Sequence, residues 1–544
     1  MDITTRFDSV DQWLEDCVSN EHGSHETCRD IKVPGYPSRL LDIDGFETSG
    51  QVRLVDTKDW LKPLPEYTTL SHCWGSVTGP HPLNTMEANI QSHKTGIPME
   101  NLPKTFQDAV KITHRIGKRF LWIDSLAIIQ HNTQDWEFEA AQMAAIYENS
   151  FLTIAATTSE NCQGGCDLEP WDLCIIEGRG RTSPVPGLYQ KLPPETEYQM
   201  KLKRTTASWV NAGTPLPLHT RGWALQEAIL SRRVLHMTSH HMLWQCREIF
   251  DYEDANVRHS AKSLPLQLSN VGFLWDRREL VEGYNRPWWN LAENYSQRNF
   301  TYSIDKLPAI AGMVGFYAAM THDIPLLGLW KSSVAADLSW RCDKEQDSTL
   351  PGIPTWTWFS TRGRILKPFD KDPDSNSQLL VDAWAIDWEH QAYVSELQKG
   401  TLRVKSKIFE TTLKGNTNSK DQISQNLRPV LMWPIDDDQT KGYRRIDYRS
   451  DIAMTSDTPK GFELTYLLLY THKAKTWKAE SVVFLALRAT PDDPSAYVRI
   501  GCGRAIIDLG PITEPWALPE SGWPGFGFID HFLKDWKDAT ITLC

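Results

Sequence analysis

The sequence has no surplus of positive charge: 57 Lys and Arg stand against 69 Asp and Glu, a formal net charge of −12. A generic nucleic-acid binder needs a basic face to displace phosphate counterions, so no nucleic-acid partner is expected. No segment reaches the ~18 uninterrupted apolar residues of a membrane helix. The start of the chain, MDITTRFDSVDQW, is acidic and polar and lacks the apolar stretch of a secretory signal. Cysteine is sparse, 10 in 544 residues, far below disulfide-scaffold density. Free thiols in a reducing, cytoplasmic setting are the expectation. Also missing are a P-loop, a GxGxxG after a strand, an HExxH and a GxSxG elbow, which sets aside the common ATPase, dehydrogenase, zincin and serine-hydrolase readings. What the chain has in plenty is tryptophan, 23 residues against 16 Tyr and 18 Phe.

At ~150 residues per domain, 544 residues predict two to four domains. The most regular stretch runs from Tyr67 to Thr158. Tyr67–Ser71 reads as a short strand, closed by His72-Cys73-Trp74-Gly75. Apolar spacing predicts a helix over 104–116, with Thr105 and Asp108 as a capping box and Gly117 as its stop. Phe120–Asp124 is an almost unbroken apolar run of the kind a parallel sheet buries. A second helix is predicted over 135–149, capped from Asn132 or Thr133, with Trp136, Ala140, Met143, Ala144 and Tyr147 on one face. Phe151–Ala155 is a further buried strand. This order implies a parallel α/β sheet with right-handed crossovers.

Residues 160–218 are rich in Pro, Gly and charge and read as an insertion. Order resumes at Thr220–Glu227 and at a strand pair around Val234–Cys246. Past 400 the chain becomes mostly alternating strands. The expected division is a lead-in over 1–60, an α/β domain over 61–250, a mixed region over 251–380 and a β-rich region over 381–544.

Four groups of residues could carry chemistry. Ser71 to Gly75 end a strand, where ligands of open α/β sheets bind; a tight structural junction explains them equally well. Alternation puts Ser71 and Cys73 on one face and His72 on the other, so Cys73 and His72 should not form a nucleophile–base pair. Asp124, with Ser125 beside it, either caps backbone amides or faces the same pocket as Ser71. Trp223 and Glu227 share a helix face, an aromatic wall beside a carboxylate that suits a cationic or oxocarbenium-like species; a core Trp beside a helix-dipole Glu is the plain alternative. Cys17-x4-His22-x2-His25-x2-Cys28 offers four soft ligands of zinc-binding composition, but at a spacing foreign to the standard knuckles. No metal ligand is assigned from sequence, and neither His236-x3-His240-His241 nor Cys162-x3-Cys166 improves on it.

Taken together, Tyr67–Gly75, Leu102–Ala109, Phe120–Gln130, Asp135-Trp136, Met143–Tyr147, Leu152–Ala156 and Arg221–Glu227 with Ser231-Arg232 resemble the successive motifs of the fungal heterokaryon-incompatibility (HET) domain. Ala127 departs from the pattern, standing where the family typically has Cys. That domain is remotely similar to TIR domains, which implies a TIR-like, flavodoxin-like parallel sheet followed by a mixed α+β, β-rich region. The resemblance implies an allorecognition or cell-death protein, with NAD as substrate rather than as a bound cofactor. Glu227 and Asp124 would then be catalytic. Ser71, His72, Cys73, Trp74, Gly75, Ser125, Arg221, Trp223 and Gln226 would bind substrate. The alternatives are a related enzyme turned to small-molecule biosynthesis, such as a cyclase or hydrolase, and a non-catalytic signalling module that assembles as a homo-oligomer.

Overall fold

The computed structural model describes residues 7–166 except 22, 30–32, 77 and 80; 216–253 except 240; 286–369 except 345–348; 376–413; 462–508 except 474–478; 529 and 533–544; and the strands at 173–179, 197–203, 259–260 and 443–450. The chain divides into two compact units, residues 1–136 with 145–272, and 137–144 with 273–544.

The first unit carries β1 (Arg39–Asp42), β2 (Gln51–Asp56), β3 (Tyr67–Ser71), β4 (Ile97–Pro98), β5 (Phe120–Trp122), β6 (Leu152–Ala156), a hairpin of β7 (Leu173–Arg179) and β8 (Glu197–Lys203), and β9 (Arg233–Met237), β10 (Met242–Cys246), β11 (Ile249–Tyr252) and β12 (His259–Ser260). All but the hairpin form one ten-stranded sheet in the order β12-β11-β10-β9-β6-β3-β5-β1-β2-β4. The four middle strands are parallel. β3 and β6 are buried along their whole length, which is why they read as unbroken apolar or β-branched runs. The expected parallel sheet is therefore its centre only. The 1–60 segment adds β1 and β2 antiparallel at one side, and β10 to β12 add a meander at the other. Short antiparallel connections suffice there, whereas each parallel step needs a helical crossover.

The unit's helices are α1 (Asp8–Ser19), α2 (Phe46–Ser49), α3 (Ile90–Thr95), α4 (Lys104–Arg115), α5 (Asp124–Ala127), the two ends of α6 (Thr133–Asn149), whose residues 137–144 count with the second unit, and α7 (Gly222–Leu230). α4 buries Phe106, Ala109, Val110 and Ile112 against the sheet and ends before Gly117, whose φ of +72° suits glycine. The Asn132 side chain caps α6 by accepting from the Asp135 amide at 3.0 Å. Of the 160–218 insertion, only β7, β8 and the flanks fall among the described residues.

The capping box at the start of α4 does not form. Pro103 occupies the cap position with no side-chain bond to the helix. Thr105 Oγ1 instead accepts from the Gly165 amide at 3.0 Å, and Asp108 Oδ2 accepts from the buried Cys166 amide at 2.8 Å. Both side chains fasten the loop after β6, a partner sequence spacing could not reveal. Replacing Asp108 with Ala should therefore cost about 2 kcal/mol, because the Cys166 N–H is left buried and unpaired. Hydrogen exchange at Gly165 and Cys166 should speed up before the helix itself opens. Unchanged exchange there would contradict this assignment.

The second unit holds α8 (Arg286–Ser296), α9 (Pro308–Thr321) and α10 (Val334–Asp337). Two small hairpins accompany them, β13 (Pro325–Leu326) with β14 (Leu329–Trp330) and β15 (Arg341–Cys342) with β16 (Ile365–Leu366). Its β-rich part comprises β17 (Asn376–Ser377), β18 (Leu380–Trp388), β19 (Leu397–Leu413), β20 (Tyr443–Ser450), β21 (Phe462–Lys473), β22 (Ala479–Ala489), β23 (Ala496–Asp508) and β24 (Lys537–Leu543). β19, β21, β22, β23 and β24 pair in a closed ring, with β23 and β24 parallel. Leu464, Tyr466, Leu468, Val482, Phe484 and Trp536 pack together there. Gly503 is required beneath the Phe484 ring, since a Cβ would lie 2.5 Å from its Cζ.

Much of the tryptophan excess is spent in these cores. Trp122, Trp244, Trp288, Trp289, Trp330, Trp340, Trp356 and Trp358 are fully buried. Most find a partner for the indole N–H: Trp288 and Trp358 both donate to Gly328 O at 2.9 Å, and Trp289 donates to Asp337 at 2.9 Å. Trp122 and Trp330 have none among the described residues.

Candidate functional site

The parallel strands run β5-β3-β6-β9, so the first in the chain is flanked by the second and the third, and the order reverses between β3 and β6. Open α/β sheets bind ligands outside the carboxyl ends of their strands at such a reversal. β3 ends there in Ser71. Its hydroxyl donates to Glu227 Oε2, bridging strand and α7 across 156 positions of sequence. Glu227 is 2% exposed. Burial pushes its carboxyl up to about 7, against the opposing pull of the Arg221 guanidinium, the Ser71 hydrogen bond and the Tyr147 hydroxyl, while the Asp124 charge adds to the rise.

Around this pair the chain arranges a second one. The Trp74 indole donates to Asp124 Oδ2 at 2.9 Å, and Asp124 Oδ1 accepts from the Ser125 amide at 2.7 Å. Asp124 thus caps an amide, the first of the two sequence expectations, and takes the Trp74 indole on its other oxygen. His72 Nδ1 lies 3.9 Å from Asp124 Oδ1. Burial drives the imidazole down to about 4, outweighing the carboxylate's attraction, so His72 is neutral near pH 7 and this is no ion pair. Its ring meets Phe106 edge-on at 5.0 Å, on the α4 side of the sheet. Cys73 packs on the other side with Ala155, Leu218, Ala224 and Val234, its thiol raised to about 11 by burial. The two side chains diverge, and no thiolate–imidazole pair exists.

Arg221 ties the two groups together by donating to the His72 carbonyl oxygen. Gly75 takes a φ of +100°, which lets the chain turn sharply after Trp74. Trp223 is half-buried one helical turn before Glu227, and Gln226 is buried beside it. Ser125 turns away, its hydroxyl donating to Leu83 O at 2.9 Å. Sequence reasoning placed Tyr147 only on an apolar helix face. Its hydroxyl donates to Leu70 O at 3.3 Å and lies close enough to Glu227 to help hold that carboxyl's proton affinity down. The polar end of an otherwise buried tyrosine was the signal for it. Ser231 Oγ donates to the Glu227 carbonyl at 2.6 Å and joins Thr153 and Thr69 in a chain of hydroxyls through the sheet.

A different cluster lies at the far side of the sheet. Cys17, His25, Cys28 and Cys246 bring their side-chain ligand atoms within 4.8 Å of one another, all four residues buried. The set differs from that read off the sequence: Cys246 joins it, and His22 lies outside the described residues.

Residues 67–227 match the family model described as Heterokaryon incompatibility protein (HET). The match opens on the first residue of β3 and closes on Glu227, so it brackets the site from one hydrogen-bonded end to the other. No curated protein matches the chain, and no solved structure does.

Proposed function

We propose, on the premise that residues 67–227 are a heterokaryon-incompatibility domain, that this domain hydrolyses the nicotinamide N-glycosidic bond of NAD. One observation carries the reading: a buried carboxyl of raised proton affinity, Glu227, hydrogen-bonded to the serine that ends β3 at the reversal of strand order. The parallel order, with chain-first strand flanked by second and third, is that of flavodoxin-like sheets and supports the TIR-like comparison.

In this mechanism the C1′–N bond breaks and nicotinamide leaves as the neutral base with the bonding pair. Water adds at C1′ and one proton is released. Ionised Glu227 stabilises the ribosyl oxocarbenium ion, and Trp223 supplies a stacking wall for the cationic ring. Asp124 accepts from a ribose hydroxyl, and Ser71, Trp74 and Gly75 form the floor, while His72 and Cys73 pack away from it on opposite sides.

Purified full-length protein incubated with NAD should release nicotinamide, detected by chromatography, and Glu227→Gln should slow release about 10²–10³-fold. Because the ionised carboxyl is the active form, kcat/KM should rise with pH through about 7, the position of the free-site titration. In kcat the inflection should fall lower, since the bound pyridinium favours the carboxylate. The closed Ser71–Glu227 network favours one other reading, a non-catalytic signalling module. Absence of nicotinamide release from wild-type protein at every concentration would decide for it.

A further inference from the structure

We propose that Cys17, His25, Cys28 and Cys246 bind one structural zinc ion that joins the N-terminal segment to the sheet. Cys17 lies in the last turn of α1, His25 precedes a single 3-10 turn that Cys28 closes, and Cys246 ends β10. The fold brings these together although His25 and Cys246 stand 221 positions apart. Their relative exposures are 2%, 3%, 0% and 2% in chain order, so no ligand position opens to water. Closed, four-ligand sites of thiolate and imidazole are structural zinc sites, and the softness of three sulfurs disfavours Mg²⁺, Ca²⁺ and Mn²⁺.

The spacing admits a single tetrahedral ion. Zinc–sulfur bonds of about 2.3 Å set tetrahedral ligand atoms about 3.8 Å apart, and here all lie within 4.8 Å. His25 Nδ1, 3.5 Å from Cys246 Sγ, is the imidazole nitrogen facing the cluster. Neighbouring groups complete the pattern. The Ile249 amide donates to Cys246 Sγ at 3.2 Å, and Arg233 Nε donates to Cys17 Sγ at 3.3 Å. Three thiolates and Zn²⁺ leave a charge of −1, which the Arg233 guanidinium offsets in a site where an uncompensated charge is costly. Arg233 also donates to Cys28 O at 3.2 Å, and the His25 amide donates to Asn20 Oδ1 at 2.7 Å, so the loop carrying two ligands is held from both ends. A disulfide would use two of the sulfurs and strand the third thiol and the imidazole; all three cysteines are free.

The segment is also seated by contacts independent of the metal. Trp13 donates to Asp251 at 3.0 Å and stacks on Trp244 at 6.0 Å, which should let the metal-free chain keep its fold long enough to be assayed.

The test is elemental analysis of the full chain expressed with zinc and purified without chelator. About one zinc per chain is expected, and X-ray absorption should show three sulfurs near 2.3 Å and one nitrogen near 2.0 Å. Cys246→Ser should lower zinc content about ten-fold, whereas Cys162→Ala, a buried cysteine outside the cluster, should leave it unchanged. If Cys246→Ser fails to fold, the wild-type stoichiometry and absorption spectrum decide alone. Wild-type protein that carries no zinc and retains none after zinc addition and gel filtration overturns the proposal, as does a disulfide among these three cysteines found by mass spectrometry.

Discussion

Glu227→Gln should make the first unit more stable at pH 8 while changing it little at pH 4. The carboxyl has an ordinary value of 4.5 and is raised to about 7 in the folded chain, first by burial. The folded state therefore holds this proton more tightly than the unfolded one. The associated stabilisation is fully present below pH 4.5 and is lost as pH rises through about 7. A shift of that size corresponds to about 3 kcal/mol between the two limits. Gln keeps an oxygen to accept from Ser71 but cannot ionise, so the variant should lack this slope. Thermal or urea unfolding of both proteins at pH 5 and pH 8 measures it: wild type should lose about 2.5 kcal/mol more than the variant between those values, pH 5 lying already above the unfolded value. Equal slopes would mean that Glu227 is solvated or paired differently from what the structure shows. A gain in stability with loss of nicotinamide release would mark a residue kept for chemistry at the expense of the fold.

Arg499→Met should destabilise the second unit by about 4 kcal/mol. The residue is 1% exposed on β23. Its guanidinium donates to Leu338 O at 2.6 Å and to Trp340 O, and lies 3.6 Å from the centroid of the Trp340 ring. Met fills comparable space but strands two buried carbonyl oxygens, at about 1–3 kcal/mol each, and loses the cation–π contact. Lysine should restore only part, because a single ammonium cannot serve two carbonyls and the indole face in the fixed geometry of a guanidinium. Hydrogen exchange over residues 334–342 and 496–508 reports this unit directly. Protection there within a factor of about five of wild type, roughly 1 kcal/mol, would show that Arg499 is replaceable.

Several elements were legible in the chain because their information is local. The apolar runs at 120–124 and 151–155 are β5 and β6 with their flanks, and the helical spacing at 104–116 and 135–149 is α4 and α6 within two residues. Alternation along 71–73 correctly separated Ser71 and Cys73 from His72, since opposite faces of a strand follow from backbone geometry alone. The i,i+4 spacing of Trp223 and Glu227 on a helix was likewise readable. Thr105 and Asp108 show where local reasoning fails: a sound capping pattern was overridden by a loop 58 positions away whose amides needed acceptors.

By itself, then, the sequence determined the strands and helices of the parallel centre, the β-rich second half and the faces on which candidate residues lie. Tertiary structure alone decided which faces meet. Ser71 reaches Glu227 because β6 and β9 pair on one side of β3 and carry α7 over its end, and Cys246 reaches Cys17, His25 and Cys28 because the meander after β9 turns back beneath the N-terminal segment. Strand order and crossover direction set those encounters, and neither leaves a trace in the periodicity of any one segment.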